Sequence, residues 1–101
     1  QVTVTCRLVN IVTTGMTAGS PLFIRGLPFV SSGSNNSVGV ALPAVVAFQS
    51  SRTAMVSIIG GTDSWVVFQT YKADASPTFV DIGDLTSGAS DIHFTITYIT
   101  A

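Results

Sequence analysis

Apolar and polar residues alternate with a period of two at both ends of the chain. Val2, Val4, Cys6 and Leu8 fall on one side of an extended segment, with Thr3, Thr5 and Arg7 on the other. Toward the last residues, Ile92, Phe94, Ile96 and Tyr98 alternate with His93, Thr95 and Thr97 in the same way. This period predicts strands with one face buried and one face wet. Between them, apolar or β-branched runs lie at 21–25, 38–42, 45–49, 54–59, 65–71 and 78–82. Clusters of Gly, Ser, Thr, Asn, Asp, Ala and Pro punctuate them at 14–20, 31–37, 49–52, 60–63, 73–77 and 86–90, as turns require. No window of helical length carries an i, i+3, i+4, i+7 apolar stripe. The pattern predicts an all-β fold, an antiparallel β-sandwich, jelly-roll-like, of about eight short strands.

Two segments depart from simple alternation. The runs Ala54-Met55-Val56-Ser57-Ile58-Ile59 and Trp65-Val66-Val67-Phe68 are apolar on both faces. A lone two-layer sandwich should have one wet face, so either loops or another subunit should cover the second. Self-association is the expectation. The other segment is Leu22-Phe23-Ile24-Arg25-Gly26-Leu27-Pro28-Phe29. Gly26 opens backbone angles closed to other residues, while Pro28 fixes φ and lacks a donor. A ladder must bulge, bend or end there. Leu27 and Phe29, each stabilising by roughly 2 kcal/mol if buried, are expected to pack on the core.

Length and charge narrow the picture further. A chain of 101 residues is expected to form a single domain over 1–101, large enough for its own core. Charged residues make up only 9% of it, against about 25% in an ordinary soluble domain. There are five Asp, no Glu, and four basic residues: Arg7, Arg25, Arg52 and Lys72. This gives no basic cluster for nucleic acid and none for anionic lipid. The longest apolar run, 38–48, is broken by Gly39 and Pro43 and is too short for a membrane helix. Ser, Thr, Asn and Gly replace charge, as in rigid extracellular or virion β-proteins. Cys6 is the sole cysteine, excluding an intrachain disulfide; its place in the alternation predicts a small buried apolar side chain. The chain starts in a strand pattern at Gln1 without an initiating Met, as expected for the terminal domain of a longer chain.

Gly26-Leu27-Pro28-Phe29 follows a strand, and the Ser/Gly/Asn-rich loop 31–37 follows it. Asp84-Leu85-Thr86-Ser87-Gly88 then precedes a last strand that closes on Thr97-Tyr98. In this order and spacing, over nearly its whole length, the chain resembles a recurring C-terminal domain of bacteriophage tail fibres and tailspikes. It departs from that pattern at Ile96, where the family often has Gly just before Thr-Tyr. The resemblance implies a jelly-roll-like sandwich at the C-terminal end of a fibre chain, located extracellularly on the virion tail. It also implies a homotrimer that registers the fibre and often recognises host-surface glycan, such as lipopolysaccharide or capsule.

Candidate glycan-binding residues follow from residue chemistry. Trp65 is the only tryptophan and stands directly after Thr62-Asp63-Ser64. An aromatic ring covers the C–H face of a sugar, while a carboxylate such as Asp63 binds hydroxyls. The plainer reading makes Trp65 the start of a buried strand and Asp63 a turn residue. Tyr71 and Lys72, with Asp74 close by, form a second polar-aromatic cluster, or else a solvated turn. Asn35 and Asn36 lie in the 31–37 loop, whose amides and hydroxyls suit adaptable contacts, or which simply serves as a spacer.

Catalytic and metal chemistry find little support. His93 is the sole histidine; only a threefold axis gathering three copies would give it partner ligands, so no metal and no cofactor are expected. Asp63, Asp74 and Asp91 fall in turns, where Asp is common for backbone reasons, and Asp81 and Asp84 flank an apparent bend. An adhesive protein, not an enzyme, is the reading. The alternative is a carbohydrate-binding module or lectin domain of a secreted enzyme or adhesin. A capsid protein is a third reading, weakened by the lack of a basic arm.

Overall fold

The computed structural model describes every residue except 34–36, 49–51, 53, 61–63, 73–75 and 101. Seven strands are present among the described residues: β1 (Val2–Ile11), β2 (Phe23–Arg25), β3 (Ser37–Ala44), β4 (Ala54–Ile59), β5 (Trp65–Tyr71), β6 (Thr78–Phe79) and β7 (Ser90–Tyr98). One 3-10 turn, Ile82–Asp84, precedes β7. All pairings are antiparallel. They form one sheet in the order β1-β7-β3-β4-β5-β2, with β6 also on β5. The sheet curls into a half-barrel. The all-β, antiparallel expectation therefore holds, with the two layers supplied by one sheet curling over its own core.

The inward face carries the residues that the alternation assigned to it. Ile92, Phe94, Ile96 and Tyr98 of β7 are buried, and Val2, Val4, Cys6 and Leu8 of β1 pack partly against them. Ile96 thus fills the core. From the other end of the sheet come Met55, Ile59, Val66 and Phe68. The curl brings Phe68 of β5 edge-on to Phe94 of β7, with ring centroids 5.3 Å apart, although two strands separate them in the sheet. Leu22, Val80, Ile82 and Leu85 close the core from the connections.

Three runs are shorter strands than the pattern suggested. Only Phe23–Arg25 and Thr78–Phe79 are laddered within 21–25 and 78–82. In 45–49, Val45 takes a positive φ of 56° and Val46 makes only an isolated bridge to Leu85. The positive φ ends β3, because the left-handed region breaks an extended ladder.

The Gly26–Phe29 step does end a strand, but not by packing Phe29. Gly26 has φ 87° immediately after β2. Leu27 is half-buried against the core, and its N–H donates to the Ser64 carbonyl at 3.0 Å. Phe29, expected on the core, is 57% exposed instead. Its carbonyl is the part that is used, accepting from the buried Tyr98 hydroxyl at 2.8 Å. Asp84 and Asp91 are likewise spent on backbone: their carboxylates accept from Asp81 N–H at 2.9 Å and Asn10 N–H at 2.7 Å.

Candidate functional site

The outward side chains of β5 are Trp65, Val67, Gln69 and Tyr71, every second residue of the strand. On one flank, β4 sets Ile58 against Val67 and Val56 against Gln69. On the other flank two short strands share β5. β2 places Phe23 beside Val67 and Arg25 beside Trp65, whereas β6 places Phe79 beside Gln69. Aromatic residues distant in sequence therefore meet on the outer face. With Pro21 they enclose a groove of about 250 Å³, lined chiefly by Phe23, Ile58, Trp65, Gln69 and Phe79.

The groove is apolar with a polar rim. Trp65 meets Phe23 edge-to-face at 4.8 Å and 83°, an arrangement favoured by opposed ring quadrupoles. The Arg25 guanidinium stands 5.7 Å from the Phe23 ring centroid, a cation–π contact that steadies the charge beside the aromatic wall. The Tyr71 hydroxyl donates to Gln69 Oε1 at 3.0 Å, and Gln69 lines the groove. Beneath these side chains Ile58 and Val67 are buried. The second apolar face of β4 and β5 is thus partly covered by the chain's own aromatics.

The structure unites Trp65 and Tyr71 on one face through Gln69. Trp65 is half-buried at the groove, neither fully sunk in the core nor isolated. Lys72 follows at the end of β5 and is half-buried. Asp63, Asn35 and Asn36, as well as Asp74, lie outside the described residues. Sequence reasoning missed Phe23, Arg25, Gln69 and Phe79. Gln69 had a signal, since it sits at even spacing between Trp65 and Tyr71. Phe23 and Arg25 share a face by the same rule, but nothing local ties them or Phe79 to Trp65.

A second feature of the outer face lies on β3. Val38, Val40 and Leu42 all point outward and are 57%, 61% and 64% exposed. One register row crosses the whole face: Thr5, Thr95, Val40, Val56, Gln69 and Phe79. It runs from polar at β1 to apolar at β3. On the polar side the hydroxyls of Thr3 and Thr97 lie 2.8 Å apart, and those of Thr5 and Thr95 2.9 Å apart. His93 is exposed between its register partners Arg7 and Leu42. No group of three potential metal ligands occurs among the described residues.

No known protein family, curated protein or solved structure matches this chain.

Proposed function

We propose that this chain is the distal domain of a bacteriophage tail fibre or tailspike, trimerising the fibre tip and attaching it to host-surface glycan. The observation that carries the assembly half is the outward row Val38, Val40 and Leu42, well over half exposed in a chain with 9% charged residues. A contiguous apolar patch on a sheet with few charges favours burial against a like surface. The order of the Gly26–Phe29 step, the 31–37 loop and the closing Thr97-Tyr98 strand supports the phage assignment.

The attachment half rests on the Trp65 groove. It is centred on β5, two strand spacings, or about 10 Å, from β3. Three copies around an axis repeat the groove three times, and repetition converts weak sugar contacts into avid attachment. The action is adhesive, with no bond made or broken. Light scattering of the purified chain at micromolar concentration checks assembly, with a mass of three chains expected. A glycan array checks attachment: Trp65→Ala should lose the binding that the parent chain shows. A monomer would remove the assembly half, and an array at background would remove the attachment half.

A further inference from the structure

We propose that the Trp65 groove selects an acidic sugar, stacking one pyranose ring on its aromatic wall and holding the sugar's carboxylate on Arg25. The inference rests on the glycan reading above and adds the chemical class of ligand. The groove, at about 250 Å³, is smaller than the roughly 300–1,000 Å³ of sites for drug-sized ligands. It therefore admits about one ring.

Among the described residues at this site, the charge has one sign. None of the groove-lining residues is ionisable as an acid or base in the neutral range: they are Pro21, Phe23, Ile58, Trp65, Gln69 and Phe79, with Val67 and Gly60. Among the described residues, Arg25 is the charged one beside them, exposed and in register with Trp65. Its role differs from that of Arg52, which donates to the carbonyls of Thr70 and Ser76 at 2.9 and 2.8 Å and so braces the chain. Arg25 has its contact on the Phe23 ring, and no carboxylate pairs with it among the described residues. A guanidinium beside an aromatic ring keeps its planar fork of N–H donors, which matches a carboxylate in bidentate fashion. The Gln69 amide on the opposite side supplies donors for ring hydroxyls. A neutral sugar would use the wall and Gln69 but leave Arg25 idle.

Trp65, the sole tryptophan, reports occupancy by its fluorescence. The test titrates the intact chain with an oligogalacturonate tetrasaccharide and with its carboxyl-reduced, neutral counterpart. The acidic form is expected to bind about ten-fold more tightly, with the gap narrowing as salt rises. Arg25→Gln should bring the acidic form to the affinity of the neutral one; because Arg25 is exposed, its circular dichroism should match the parent. Phe79→Ala, also at an exposed position, should weaken both sugars. Equal affinities in the parent chain, or an acidic preference that survives Arg25→Gln, would overturn the selectivity while leaving glycan attachment intact. No fluorescence change and no heat with either sugar would overturn attachment at this groove as well.

Discussion

The Tyr98 hydroxyl donates a 2.8 Å hydrogen bond to the carbonyl of Phe29. It joins the end of the last strand to the step that ends β2, across most of the sequence. The Ser32 N–H to Ile99 carbonyl bond, at 2.8 Å, and the Ser31–Thr100 bridge continue the same seam. A buried ring with a part-buried hydroxyl bond makes a clamp: the ring fills the core while the hydroxyl fixes the 26–32 connection.

Tyr98→Phe keeps the ring and deletes the clamp. Removing one partner of a part-buried hydrogen bond costs about 1 kcal/mol, so urea denaturation should show a lowered midpoint with an unchanged slope. Phe29→Ala should cost less than about 0.5 kcal/mol, as substitutions at exposed positions usually do. A larger loss for Phe29 than for Tyr98 would contradict the clamp.

Gly39→Ala should be the most damaging small substitution in β3. A methyl group there would run into the Thr95 carbonyl oxygen, the Ser57 hydroxyl and the Ile96 Cα. Two of these neighbours are backbone of the central strand β7, which cannot yield cheaply. A loss of about 3 kcal/mol or more is expected, at the upper end of overpacking effects, readable as a fall in melting temperature. Gly26→Ala offers the contrast: nothing lies within 4 Å of a Cβ there, and only its φ of 87° opposes the change. Its cost should stay near about 1–2 kcal/mol.

Val45→Asn should stabilise the domain. Val45 is an exposed β-branched residue held at φ 56°, where such residues are rarely found. Its carbonyl is gripped by the buried Ser90 hydroxyl, which holds the turn in place whatever the side chain. Asn tolerates the left-handed region, and a gain of about 1 kcal/mol in unfolding free energy is expected. Ser90→Ala should go the other way, because it strips partners from both Val45 and Thr86.

Much of the fold was legible because β1 and β7 bury one face each, so a period of two reveals which side chains point inward. The alternation of Ile92, Phe94, Ile96 and Tyr98 with His93, Thr95 and Thr97 reappears residue by residue as buried and exposed positions. The pairing of β1 with β7 was not legible, since strand order is decided by contacts between distant segments. Phe29 was misjudged for a related reason: a large apolar side chain beside Pro28 suggests burial, yet the step is held through its backbone. The groove was half legible. Trp65 and Tyr71 stand on one strand and announce themselves, whereas Phe23 and Phe79 arrive only because β2 and β6 divide the edge of β5 between them.

The outward row of β3 is the central claim, and replacing Val40 and Leu42 together by Asp tests it most directly. Both side chains face outward, so the substitutions leave the core untouched. Sedimentation equilibrium at micromolar concentration should give the parent chain a mass three times its 10.5 kDa. The doubly substituted chain should give a single-chain mass with an unchanged β-sheet circular dichroism spectrum. A parent chain that sediments as a monomer, or a substituted chain that remains a trimer, would contradict the account.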